Sequence, residues 1–288
     1  MIDESLTSLL GSPPVSWRRV GGGYTPAERW VVELEDGRSV FVKAAVNDLT
    51  AGWLRDEHRM YAALEARFMA RMLGWADGDR PVLVLEDLST ASWPPPWTDA
   101  LVTAVRRTLR EVAHTRPPSW LRPARSSGLL ERGWHEVRDN PAPLLATGVV
   151  DGPWLEAALP ALIEASDACP LDGDELLHLD VRSDNICFRA DGSAILVDWN
   201  LAVIGNARLD IAFWLPTLIA EGGPMPEAIL PDGAREAAFV SGFFAARGGQ
   251  PPIPGAPAIR PLQLEQLRHA LPWACRELAL PLPGRVAG

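Results

Sequence analysis

The apolar positions of the first ninety residues fall in short strand-like runs. Ser16–Val20 and Arg29–Glu35 read as strands flanking GGGYTPAE at 21–28. A DGRS turn at 36–39 leads into VFVKAA (40–45), which alternates as a half-buried strand does. Over Leu49–Leu64 the period becomes helical: Trp53, Leu54, Glu57, Met60, Tyr61 and Leu64 share one broad side. Phe68–Trp75 and Val82–Leu85 return to strand character around an ADGDR turn. The expectation is a five-stranded sheet with one helix, complete by about residue 86. Its element order makes the fold α+β rather than a βαβ repeat.

STASWPPPW (89–97) then interrupts the pattern. Three consecutive prolines enforce an extended stretch, the expected boundary between a lobe at 1–88 and a lobe at 89–288. Trp93 and Trp97 beside them are candidate pocket walls. Beyond this point the pattern is mainly helical. Thr98 is placed to cap a helix to about His114, with Leu101, Val102, Val105, Leu109 and Val112 on one face. The region 117–150 is less regular. Further helices are expected over about Pro153–Asp167, Arg208–Ala220, 232–247 and 259–280. One unit breaks the helical run: ELLHLDVRSDNICFRADGSAILVDWN (175–200) reads as strand, loop, strand, turn and strand.

Composition narrows the class. Of 288 residues 47% are hydrophobic and 22% charged, which excludes a disordered chain and a coiled coil. No apolar run is long enough to span a bilayer, and MIDESLTSLL lacks the basic start of a secretory leader. Cys169, Cys187 and Cys275 are widely spaced, as expected of a reduced cytoplasmic protein without structural zinc. A net charge of −10 disfavours nucleic-acid partners. The half at 89–288 carries 23 acidic against 17 basic residues, with Glu164, Asp167, Asp172, Asp174 and Glu175 contributing, and suits a cationic small molecule. Among 27 basic residues Lys43 is the single lysine. A compact ammonium on a thin stem does work that a planar guanidinium does not.

The chemistry-bearing segment is HLDVRSDN followed by ILVDWN. His178, Asp180 and Asn185 have the spacing H-x-D-x-x-x-x-N, and Asp198 ends an apolar strand thirteen residues on. Phosphoryl transfer needs such a set. One carboxylate takes the acceptor's proton; a second, with an amide oxygen, holds Mg²⁺ against the phosphates.

This pattern resembles the aminoglycoside phosphotransferase family, the small-molecule branch of the protein kinase-like superfamily. The resemblance spans roughly residues 15–220. It implies a bilobal kinase-like fold, with the small sheet-plus-helix lobe at 1–88 binding nucleotide and a larger, mainly helical lobe at 89–288 binding the acceptor. It further implies that Lys43, paired with Glu57, orients the phosphates of ATP or GTP, and that Gly22, Gly23 and Thr25 of the glycine-rich turn approach them. Glu86 and Leu88 of LVLEDL would line the adenine site, Asn185 and Asp198 would ligate Mg²⁺, and Asp180 would be the catalytic base. Arg182 is expected to neutralise the γ-phosphate, and Asp210 to brace the loop. Leu179 departs from the family, which often has Gly or Arg there.

The acceptor implied is a hydroxyl of an aminoglycoside, an amino sugar or another antibiotic, with resistance as a family role. A monomer or homodimer without nucleic-acid or membrane partners is expected. Two other readings stay open: a nucleotide-binding module without catalysis, and a metal-dependent phosphoesterase using His178, Asp180 and Asp198.

Overall fold

In the computed structural model, which describes residues 2–21, 23–130 and 133–284, the chain opens with helix α1 (Ile2–Leu10). Strands β1 (Pro14–Arg19), β2 (Glu28–Leu34) and β3 (Ser39–Ala44) follow, then helix α2 (Asp48–Ala63) and strands β4 (Met72–Ala76) and β5 (Val82–Glu86). The strands form one antiparallel sheet in the order β1-β2-β3-β5-β4. Alternation sorts its two faces. Val32, Leu34, Val40, Val42, Val82 and Val84 pack with Leu6 of α1 on one face. Phe41, Leu83 and Leu85 join the other face, where α2 lies. The strand at 40–45 is therefore covered on both sides rather than half-buried, and Lys43 projects into a protected space.

Helix α2 begins at a capping box: Thr50 N–H donates to Asn47 Oδ1 at 2.8 Å, and the Asn47 N–H donates to Thr50 Oγ1 at 3.1 Å. This fixes the start of the helix that carries Glu57. The same helix also packs against the short 199–201 turn of the second half.

That second half holds α3 (Asp99–Ala113), α4 (Gly133–Asp139), α5 (Ala142–Leu145) and α6 (Gly152–Asp167). Strands β6 (Glu175–Leu177), β7 (Ile186–Phe188), β8 (Ala194–Leu196) and β9 (Val203–Gly205) come next, then α7 (Arg208–Ala220), α8 (Pro226–Ile229), α9 (Ala234–Gly248) and α10 (Ile259–Glu277). Thr98 caps α3 as expected, accepting from Leu101 N–H. Helix α9 packs against α4, α6 and α10. One apolar core runs through both halves, from Met60, Phe68 and Leu85 to Leu196, Trp199 and Trp214.

Three further features differ from expectation. Helix α1 gives the small sheet a second covering helix. Phe68 and Met69 lie outside β4; they are apolar because they sit between the halves, where Leu196 N–H donates to Phe68 O. The unit at 175–200 also splits: β7 pairs with β8, while β6 pairs with β9. Among the described residues no helix is long and apolar enough to cross a membrane.

Candidate active site

Lys43, near the end of β3, reaches residues distant in the chain. Its Nζ lies 2.6 Å from Glu57 Oε2 and 2.5 Å from Asp198 Oδ1. Lysine and glutamate are 8% and 1% exposed. Burial alone would lower the Lys43 pKa, but the Asp198 and Glu57 carboxylates together raise it above the ordinary range. Burial leaves Glu57 above the ordinary carboxylate range despite Lys43. Asp198 lies below that range, because Lys43, Arg29 and Arg182 outweigh its burial. A charged triad thus spans the two halves. Asp198 stands two residues past β8 with φ of 69°, a left-handed conformation that turns its carboxylate back toward the lysine.

The loop after β6 is held from below. Asp210, in the first turn of α7, accepts from His178 N–H at 2.9 Å and from Leu179 N–H at 2.7 Å. His178 is fully buried, and both ring nitrogens serve the backbone. Nε2 lies 3.0 Å from Val197 O, while Nδ1 accepts from Asp180 N–H at 3.2 Å. Those partners fix the neutral tautomer protonated at Nε2, and burial depresses its pKa to about 4. His178 is therefore a structural part, without a nitrogen left for a metal. Leu179 has φ of 59° and is buried in a cavity wall, which accounts for a large side chain at this position.

Asp180 accepts from Arg182 Nη1 through Oδ1 and from Asn185 Nδ2 at 2.9 Å through Oδ2. Burial pushes its pKa up to about 6, with Arg182 opposing. Arg182 also donates to both oxygens of Asp184, at 2.9 and 3.1 Å, with its guanidinium carbon 5.3 Å from the centre of the Tyr24 ring. The Asn185 amide nitrogen is thus committed to Asp180, and its oxygen is the atom left for a cation. Asp198 and Asn185 are hard oxygen donors, and Asp198 spends one oxygen on Lys43. Such a set fits Mg²⁺, which takes few protein ligands and completes its shell with phosphate and water. Among the described residues no cluster of three or more His, Cys, Asp or Glu is arranged to hold a metal by itself.

Two cavities meet at these residues. The first, about 350 Å³, is lined by Val20, Phe41, Ala70 and Leu85 of the sheet half, by Val197 opposite, and by Lys43, Asn185 and Asp198 at one end. Glu86 and Leu88 line it, and Glu86 Oε1 accepts from Arg71 N–H and from Arg189. Trp93 is a wall residue. Trp97 instead packs on Trp214 and donates to Glu221 at 2.8 Å. Gly23 lines the cavity with φ of 73°, where an added Cβ would meet the Arg29 guanidinium at 3.0 Å. Gly22 lies outside the described residues.

Arg29 is the residue the sequence reading missed. It pairs with Lys43 across β2 and β3 and lines the same cavity. Its guanidinium also binds Thr25 Oγ1 at 2.6 Å and the Ala27 carbonyl at 3.0 Å, pinning the glycine-rich turn. Counting the hairpin register back from the DGRS turn would have placed it beside Lys43. Thr25 itself faces the second cavity. That space, about 390 Å³, is bounded by Asp180, Arg182 and Asp198 on one side and by α7, α9 and α10 on the other. None of Glu164, Asp167, Asp172, Asp174 and Glu175 lines either cavity. Asp167 pairs with His135 and Asp172 with Arg125. These five carboxylates therefore contribute to neither cavity, whereas Asp180, Asp184 and Asp198 line the second.

A small antiparallel lobe over a helical lobe, with a Lys–Glu–Asp triad between them, is the architecture of a kinase-like phosphotransferase. Spectinomycin phosphotransferase, solved with ADP and spectinomycin, shares the fold at 14% identity, with 97% of this chain and 98% of that one covered and a TM-score of 0.64. A hygromycin B complex of an aminoglycoside phosphotransferase, APH(4)-Ia, with ADP matches at 13% identity over 100% and 99% of the chains, TM-score 0.60. Choline kinase LicA from Streptococcus pneumoniae matches at 12% over 96% and 97%, TM-score 0.59. No curated protein matches the sequence. The model of the phosphotransferase enzyme family matches residues 16–262, and the chain belongs to that family.

Proposed function

We propose that this phosphotransferase moves the γ-phosphoryl group of ATP or GTP to a hydroxyl of a small molecule. Residues 1–88 form the nucleotide lobe and 89–288 the lobe carrying the base and the acceptor site. The observation that carries the reading is Lys43 Nζ in contact with both Glu57 and Asp198, residues that serve no common purpose in the core. The nucleobase lies between Phe41, Leu85 and Val197, bonded to the backbone of Glu86–Leu88. Lys43 and Arg29 hold the phosphates, and Gly23 lets the turn approach them. Asn185 and Asp198 hold Mg²⁺, which neutralises charge on the phosphates when bound.

Asp180 accepts the acceptor's proton as the oxygen–phosphorus bond forms. The bond from γ-phosphorus to the bridging oxygen breaks, and its electron pair leaves on the nucleoside diphosphate. Arg182 exchanges a carboxylate for the transferring phosphoryl, so Arg182→Ala lowers turnover. Three buried, unpaired cysteines support a reducing, cytoplasmic setting.

The single lysine makes the test specific. An acyl-phosphate derivative of ATP or GTP should acylate Lys43, and free nucleotide with Mg²⁺ should protect it. The derivative that labels faster identifies the donor. Labelling confined to the N-terminal amine, or unprotected by nucleotide, would overturn the reading.

A further inference from the structure

The acceptor-side cavity does not share the acidic surplus of the half that builds it: among the described residues three aspartates and three arginines line it. Its far wall is aromatic and aliphatic. Phe213 from α7 and Phe243 and Phe244 from α9 pack edge to face, with ring centres 5.1, 5.9 and 5.1 Å apart. Ile259 and Leu262 of α10 continue this wall. Among the described residues the acidic groups lining the cavity are Asp180, Asp184 and Asp198, and each is already held by Arg182 or Lys43. Asp180 and Asp184 there are paired with Arg182, and Asp198 keeps one oxygen beside its bond to Lys43.

Arg260 lines the same cavity. Its Nη1 donates to Gln263 Oε1 at 2.8 Å, but its Nε is buried without a hydrogen-bond partner. Burial lowers its pKa, and the Glu136 carboxylate offsets only part of that. Among the described residues no carboxylate forms an ion pair with this guanidinium, which leaves its charge to an anionic group in the cavity. Arg247 also lines the cavity, its guanidinium carbon 4.1 Å from the centre of the Phe243 ring and its nitrogens donating to the Phe243 and Leu129 carbonyls. An amino sugar would bring ammonium groups to Arg260 and hydroxyls to three phenyl rings.

We propose, on the phosphotransferase reading above, that the acceptor is a hydroxyl compound with an apolar body and an anionic group, the body lying on Phe213, Phe243 and Phe244 and the anion taken by Arg260. The test compares three matched series of six to twelve carbons: ω-hydroxy carboxylates, 1-alkanols and ω-amino alcohols. Phosphorylation is followed with Mg²⁺ and the donor identified by Lys43 labelling. The carboxylates should be the best substrates and the amines the worst, with kcat/KM rising about two- to fourfold per added methylene. Arg260→Gln should cut the carboxylate-over-alkanol ratio at least tenfold, and Arg260→Lys should restore part of it. Amines equal to carboxylates, a ratio unchanged in Arg260→Gln, no dependence on chain length, or turnover of none of the three series would each overturn the proposal. Nucleotide-protected labelling of Lys43 tests the phosphotransferase reading separately, so the two fail by different signs.

Discussion

As the proposed base, Asp180 must be ionised to take a proton, yet it is buried, and burial raises its pKa to about 6. The sign follows directly. Activity depends on the ionised form, so kcat/KM should fall as pH drops through about 6 and level off above about 7. A limb nearer 4, the range of an exposed aspartate, would show that the carboxylate works in a wetter site than this one. Asp180→Asn removes the base but keeps a side chain of the same shape beside Asn185. It should lower kcat by roughly 10²–10⁴ and leave nucleotide affinity within about twofold. Lys43→Arg tests the opposite idea, that shape matters where charge is kept. The ammonium meets Glu57 and Asp198 from one atom, and a planar fork does not repeat that geometry in a pocket closed by Phe41 and Leu85. A fall in kcat/KM of at least about 10² is expected; activity near that of the wild type would mean that any cation suffices.

Elements matter here for what they hold in register. Helix α7 supplies Asp210, whose two oxygens accept the N–H groups of His178 and Leu179. Asp210→Ala leaves both donors buried and unpaired beside a left-handed residue, at about 1–3 kcal/mol each. A loss of about 2–6 kcal/mol should lower Tm by at least about 5 °C, read by calorimetry, with kcat falling as the loop loosens; an unchanged Tm would show that the loop does not depend on this brace. Much of this scaffold was legible from the chain. The alternation over 40–45 placed Lys43 on one sheet face, the period over 49–64 placed Glu57 on the covered side of α2, and the spacing from His178 to Asp198 placed the carboxylates at one rim. What stayed hidden depends on contacts between distant segments. Phe68 is apolar because it lies between the halves, and β9 pairs with β6 across 25 intervening residues. Phe213, Phe243 and Phe244 meet only when α7 and α9 pack. Charge misled for the same reason: a surplus of carboxylates over 89–288 carries no position, and Asp167 and Asp172 turned out to face His135 and Arg125.

At the scale of the whole molecule, one ammonium group joins halves that the proline stretch separates. Lys43→Met removes it and leaves Glu57 and Asp198 facing each other in a protected space. Arg29 and Arg182 still favour an ionised Asp198, so the proton goes to Glu57, which burial already holds above its ordinary range. Without Lys43 nothing nearby opposes that burial to the same extent, and the folded-state pKa of Glu57 climbs further. A carboxylate whose folded pKa is raised destabilises the fold above that pKa. It ceases to do so as pH falls toward the unfolded value of about 4.3, because the folded form then binds the proton more tightly. The variant should therefore lose about 3–5 kcal/mol near pH 8, roughly 6–15 °C in Tm, and regain much of it near pH 5. In the wild type Lys43 faces both carboxylates with Arg29 and Arg182 nearby, and Asp198, held low by Lys43, contributes stability above about pH 4 that is lost only under stronger acid. The decisive measurement is the difference in Tm between the two proteins across this range. A difference that narrows on acidification shows that the triad closes the cleft through charge. A difference that stays constant with pH would show that Lys43 holds the halves through the packing of its stem alone, and that Glu57 has other company when the ammonium is gone.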